Sequence, residues 1–140
     1  MKTKVLVFGL PGSGKTTFAK KLVTTVSDSK HINADEVRKT FNDWDFSRQG
    51  RIQQAHRMHM LCETNKAALI VCDFVCPFQN IRDELFGSYI RVYMNTIRSS
   101  RFADTNSIFE QPTSFDFEIT DYNEIDLYVK KIIELIGKEI

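Results

Sequence analysis

The chain has 140 residues, 42% hydrophobic and 26% charged, with a formal net charge of +1. That length suits one domain with a real core and excludes a nucleotide-binding domain followed by a separate substrate domain, so any second ligand binds the same small fold. Lys and Arg (19) nearly balance Asp and Glu (18), which excludes bulk capture of duplex DNA and makes nucleic acid the less favoured partner; Cys62, Cys72 and Cys76, odd in number and without a CxxC, exclude a disulfide framework or zinc knuckle and fit a reducing cytoplasm.

The first predicted element is "KVLVF", a continuous apolar run at residues 4–8 that reads as a buried parallel strand rather than a signal peptide. No run in the sequence approaches the length of a membrane span. The strand passes straight into "GLPGSGKTT", in which Gly9, Gly14, Lys15 and Thr16 fit GxxxxGK[ST]. In such a loop, backbone N–H groups wrap phosphates, the lysine reaches the β and γ groups, and the hydroxyl is left for magnesium. Glycines are needed there because a backbone turning its N–H groups inward takes conformations and approaches that a Cβ obstructs. Residues Gly9, Leu10, Pro11, Gly12, Ser13, Gly14, Lys15, Thr16 and Thr17 form the expected triphosphate cradle. "KTTFAKKLVTTV" follows as a helix, with Phe18, Leu22 and Val26 at helical spacing.

Further strands are predicted at 30–33, 68–74, 89–94 and 115–119, with helical patterns between most of them. This alternation predicts an α/β fold of three layers, the P-loop NTPase type, with a mostly parallel five-stranded sheet flanked by helices. "NADEVRKTF" begins a helix in which Asn33 caps, Glu36 stands three residues on, and Asp35 occupies the first turn. A long helix, arginine-rich at its start, spans Ser47 to about Asn65, with Ile52, Ala55, Met58 or His59, and Cys62 as inward candidates. "NTIRSSRFADTNSIFEQP" has no clean period and reads as a binding loop or lid carrying Arg98 and Arg101. From about Asn123, Ile125, Val129, Ile132, Ile133 and Ile136 form a stripe that covers the sheet.

Ligands of open parallel sheets sit beyond the carboxyl ends of the strands. Four segments converge there: the phosphate loop, Asp35 with Arg38, the stretch from Asp73 to Phe78, and the lid. Phosphoryl transfer needs charge neutralisation on the γ-phosphate and a carboxylate that orients the acceptor or takes its proton. Asp35 is the first choice for that carboxylate. Asp73, after "ALIV", stands where many phosphate-loop proteins hold magnesium and is the second, so Thr16, Asp35 and Asp73 are the metal candidates. Arg98 and Arg101 suit closure over the triphosphate, while Arg38, Arg48, Arg51 and Arg57 gather on the acceptor side. His56 and His59 lack the glutamate of HExxH and read as ordinary helix residues. In "TNKAA", Ala68 stands where the guanine-reading NKxD needs aspartate, which removes the reason to expect a GTPase switch.

From Val5 to about Pro112 the order of segments resembles the adenylylsulfate kinase family, which uses ATP to phosphorylate the 3′-hydroxyl of adenosine 5′-phosphosulfate. "GLPGSGKTT" resembles that family's phosphate loop, "INADEVR" its LDGDNVR, "FSRQGRIQQAHR" its FSxxDRxENIRR, "DFVCPFQNIRD" its AFISPFRxxRD and "SIFEQP" its SPYEAP. The resemblance implies ATP and Mg2+ as cofactors, a small-molecule nucleotide as acceptor, and a homodimer. Lys15, Asp35 and Arg101 are the expected catalytic set, and the resemblance implies that Asp35 is the acid nearest the acceptor hydroxyl and magnesium. Arg38 and Arg51 would bind the acceptor's anionic end, and Phe46 would stack on its adenine. Gln54, in place of the family's asparagine, Val75, and Cys76, in place of serine, would line the same pocket. The family's RDPKGLY and GFTG segments are absent. Asp73 replaces a small residue and, with NxxDxxR, makes this strand end similar to polynucleotide 5′-hydroxyl kinases. The expectation is a single kinase domain over 1–140 with a shortened lid at about 95–112, phosphorylating adenylylsulfate. A kinase for another nucleotide or a polynucleotide 5′-hydroxyl, and a nucleotide-binding module without turnover, are the alternatives.

Overall fold

A computed structural model describes residues 2–139. The leading apolar run becomes β1 (Thr3–Gly9), and the phosphate loop delivers the chain into α1 (Lys15–Thr25). Next come β2 (Ser29–Asn33), α2 (Ala34–Phe41), α3 (Arg48–Thr64), β3 (Leu69–Phe74), α4 (Gln79–Phe86) and β4 (Ile90–Met94). The chain continues through α5 (Ala103–Ile108), β5 (Phe117–Ile119), a 3-10 turn at Tyr122–Glu124, and α6 (Ile125–Glu139). All five strands are parallel and lie in the order β2-β3-β1-β4-β5.

The two-residue period of a strand divides the core into two layers. From β1, Leu6 and Phe8 join Ile32, Val37, Ala55, Met58 and Cys62 under α2 and α3. Val5 and Val7 face the other way, onto Phe18 and Leu22 of α1 and Ile132 and Ile136 of α6. β1 is therefore covered on both faces, which explains why its sequence is an unbroken apolar run. Each such side chain contributes about 1.5–3 kcal/mol on burial, enough to hold the strand's carboxyl end rigidly beneath the site.

Local capping sets where the flanking helices begin. Asn33 Oδ1 accepts from the Glu36 N–H at 3.1 Å, and Ser47 Oγ accepts from the Gly50 N–H at 3.2 Å. Both match the predicted starts. Two elements differ from expectation. β5 starts at Phe117 rather than 115, because the Asp116 carboxylate takes the Arg91 N–H at 2.8 Å that a longer pairing would need. The lid, expected to be irregular, contains the six-residue α5, too short to show a helical period in sequence. Asn106 ties this helix to the preceding turn by accepting from the N–H and the hydroxyl of Ser100 at 2.8 and 2.7 Å. Among the described residues no helix is long and apolar enough to cross a membrane.

Candidate active site

The site is built where β1 ends. Gly9 has φ +153°, and a Cβ there would come within 2.5 Å of the Met94 carbonyl oxygen, so only glycine lets the loop leave the sheet this closely. Gly14, at φ +99°, caps α1 in the left-handed region and turns the loop over the helix start. Thr96 Oγ1 donates to the Ser13 carbonyl at 2.7 Å and braces the loop from the segment after β4. Lys15 is buried, and its Nζ donates to the Leu10 carbonyl at 2.9 Å. Burial pushes its ammonium down to about 8, although Asp73 and Asp35 both pull it back up. A cation this poorly compensated is poised for an incoming polyanion.

Beside the loop, strand register places a carboxylate. Asn33 and Asp73 are paired neighbours at the ends of β2 and β3. The Thr16 hydroxyl donates to Asp73 Oδ1 at 3.3 Å, and Asn33 Nδ2 donates to Thr16 Oγ1 at 3.3 Å and to the Asp73 oxygens at 3.4 and 3.3 Å. His31 Nε2 meets the second oxygen, Oδ2. With its proton directed at Asp73, Thr16 keeps lone-pair capacity for a cation. These hard oxygen donors fit magnesium, which binds proteins through one or two groups and otherwise through phosphate and water. No cluster of three or more His, Cys, Asp or Glu side chains that could hold a metal ion occurs among the described residues. Asp35, in the first turn of α2, is exposed, faces the same cleft, and has no hydrogen-bond partner for its carboxylate among the described residues.

The opposite side is a group of arginines around one aromatic ring. The Arg38 guanidinium lies 4.2 Å from the Phe46 ring centroid, and its Nη1 donates to the carbonyls of Asp43 and Asp45 at 3.0 and 3.2 Å. Arg51 lies 5.5 Å from the same ring; its Nε donates to the Phe46 carbonyl at 2.8 Å and its Nη2 to Thr105 Oγ1 of α5 at 3.1 Å. Gln54 Nε2 donates to the Ala34 carbonyl at 3.2 Å, joining α3 to the start of α2. Phe46 itself remains about half exposed.

A cleft of about 810 Å³ unites these groups. Of the residues predicted from sequence it is lined by Pro11, Gly12, Lys15, Thr16, Asp35, Arg38, Phe46, Arg51, Gln54, Asp73, Val75, Cys76 and Arg101. Gly14 and Thr17 line a smaller adjoining cleft of about 310 Å³ with Tyr122, whose hydroxyl donates to Thr17 Oγ1 at 3.3 Å. Gly9, Leu10 and Ser13 are buried in the loop's foundation, and Arg98 is exposed outside both clefts. Burial pushes the Cys76 thiol up to about 12, so it lines the wall as an apolar group.

Sequence reasoning gave no site role to His31, Asn33, Thr105, Tyr122 or Arg82. Arg82 is fully buried between the Phe8 and Phe109 rings, 4.6 and 4.9 Å from their centroids. It donates to the carbonyls of Cys76 and Glu110, each at 2.8 Å, and so fixes the loop after β3 against the lid's far end. The available signal was its place in "PFQNIRD".

The family model described as adenylylsulphate kinase matches residues 1–114, from the start of the chain through the lid. The chain belongs to the adenylylsulfate kinase family. A probable adenylyl-sulfate kinase from Aeropyrum pernix is 28% identical over 86 residues, covering 56% of this chain and 47% of that relative's length. Among solved structures, the Mycobacterium tuberculosis APS kinase CysC in complex with AMPPNP and APS is similar at a TM-score of 0.78 and 20% identity, over 97% of this chain and 98% of that one. Shikimate kinase from Aquifex aeolicus is similar at a TM-score of 0.67 and 14% identity, over 98% of each chain. At these identities the structures establish a shared P-loop kinase fold.

Proposed function

We propose that this protein is an ATP-dependent kinase that transfers the γ-phosphate of MgATP to the 3′-hydroxyl of adenosine 5′-phosphosulfate. The carrying observation is that one cleft contains both the Lys15 loop and, around Asp35, the Arg38–Phe46–Arg51 group. A base suits an aromatic face, guanidinium groups suit phosphosulfate, and a carboxylate belongs between acceptor and donor. The loop amides and Lys15 hold the β and γ groups, and Thr16 and Asp73 would hold magnesium, which would screen the phosphate charge. Asp35 orients the acceptor hydroxyl and takes its proton as the oxygen bonds to the γ-phosphorus and the bond to the β–γ bridging oxygen breaks, leaving ADP. Arg101, on the lid side of the cleft, stabilises the charge in transfer, and Arg98 joins it when the lid moves. One sheet supports all of these groups, which favours treating 1–140 as a single kinase domain with its lid at about 95–112. Three unpaired, buried thiols favour a cytoplasmic location, and the family membership favours a homodimer.

Incubation with ATP and either adenylylsulfate or a 5′-hydroxyl oligonucleotide, with chromatography of all nucleotides, tests the reading. ADP formed one for one with a 3′-phosphorylated product from adenylylsulfate is expected. Phosphate transfer to the oligonucleotide alone would assign the protein to 5′-end phosphorylation, the reading that Asp73 favours. ATP left intact with every acceptor would leave a nucleotide-binding module.

A further inference from the structure

We infer that His31 is a positioning residue for the magnesium-nucleotide site, acting through Asp73 on Thr16; this rests on the nucleotide reading above. Asp73 is almost wholly buried at the end of β3, and a carboxylate there needs donors on both oxygens to remain in one orientation. Oδ1 is met by the Thr16 hydroxyl at 3.3 Å. Oδ2 is met by His31 Nε2, while Asn33 reaches both oxygens, at 3.4 and 3.3 Å, and so favours neither. His31 is therefore the group that pins Oδ2 and leaves Oδ1 for Thr16.

The pairing follows from strand geometry. His31 and Asn33 alternate along β2 with Ile32, whose side chain belongs to the opposite core layer, so both polar residues fall on the face that carries Asp73. Asn33 is directly opposite Asp73, and His31 is the diagonal neighbour two residues earlier, within reach of a long planar ring. Without the His31 N–H, the carboxylate can turn, the Thr16 proton loses its fixed acceptor, and the hydroxyl oxygen is no longer held with its lone pairs free. His31 contacts no phosphate-loop residue by hydrogen bond, so its removal acts on the metal-dependent part of binding and leaves the amide cradle intact.

The test is binding of a fluorescent ATP analogue to the full chain, with magnesium and with EDTA. His31→Phe and His31→Leu remove the donor; His31→Gln returns an amide N–H at a reach similar to Nε2. The magnesium-dependent tightening falls about tenfold or more in the donorless variants, as is typical when the support of a metal ligand is lost. Their affinity in EDTA is unchanged, and His31→Gln recovers most of the loss. Two donorless variants are measured because one that melts like the unaltered protein suffices. Full tightening in either folded donorless variant would overturn the inference, as would an equal loss in His31→Gln or a matching loss in EDTA. In those cases the nucleotide reading survives. If the unaltered chain shows no magnesium-dependent tightening, that reading falls together with this inference.

Discussion

Replacing Lys15 by methionine is predicted to stabilise the nucleotide-free protein while removing its grip on nucleotide. The ammonium is buried and its proton is held only to about pH 8, against an ordinary 10.5. That difference corresponds to about 3 kcal/mol of unfavourable charge burial at neutral pH. Methionine keeps most of the volume but forfeits the 2.9 Å hydrogen bond to the Leu10 carbonyl, a loss of about 1 kcal/mol. The remainder, about 2 kcal/mol, raises the melting temperature by roughly 5 °C for a chain of this size. The pH dependence has a definite sign. Below pH 8 both folded and unfolded states hold the proton and the full cost is present. Between 8 and 10.5 the unfolded chain binds the extra proton, so the unaltered protein gains relative stability as pH rises. Above 10.5 the methionine advantage is gone. Thermal melts of both proteins at pH 7 and pH 10.5, without nucleotide, give the comparison. With ATP analogue at about a hundredfold over its dissociation constant, the unaltered protein gains about 2.7 kcal/mol and the variant gains almost none. A variant that melts lower than the unaltered protein, by the same margin at both pH values, refutes the argument that Lys15 is held at a cost for its ligand.

The other predictions concern separate parts of the site. On the proposed reading, in which Asp35 accepts the proton of adenylylsulfate, Asp35→Asn lowers turnover about a hundredfold or more while ATP-analogue affinity changes little; steady-state rates beside binding isotherms check it. Arg82→Met leaves the carbonyls of Cys76 and Glu110 without their buried donor and costs about 2–4 kcal/mol in urea unfolding. The three thiols are all buried, and burial raises those of Cys72 and Cys76, so a thiol reagent at pH 8 modifies none of them faster than the chain unfolds.

What the sequence makes legible here is what is local. The phosphate loop is contiguous, and its function follows from glycines, one lysine and one hydroxyl at fixed spacing. The start of α2 is equally local, since Asn33 and Glu36 are three residues apart and the cap carries Asp35 to its place. Sheet order is different in kind: β3 sits between β1 and β2 through pairings across more than thirty residues, which no periodicity within a strand encodes. Arg82 illustrates the same limit in a single side chain. The groups that make burial of this cation tolerable come from separate stretches of the chain: the Phe8 ring of β1, the Cys76 carbonyl after β3, and Phe109 and the Glu110 carbonyl from the lid.

The two acids show how this division matters for function. Both are legible as candidates because of their places at or after strand ends, but strand order gives them different surroundings. Asp73 lies on an inner strand beside the phosphate loop, where Thr16, Asn33 and His31 already occupy its oxygens. A carboxylate so engaged can orient a neighbour but has little freedom to accept an acceptor's proton. Asp35 lies beyond the edge strand with its oxygens unengaged among the described residues, facing the cleft that Arg38 and Arg51 also line. The difference between their surroundings therefore comes from hydrogen-bond occupancy, which depends on the β2–β3 register: a shift of that register by one residue would turn His31 and Asn33 to the other face and leave Asp73 buried with Thr16 alone as a hydrogen-bond partner.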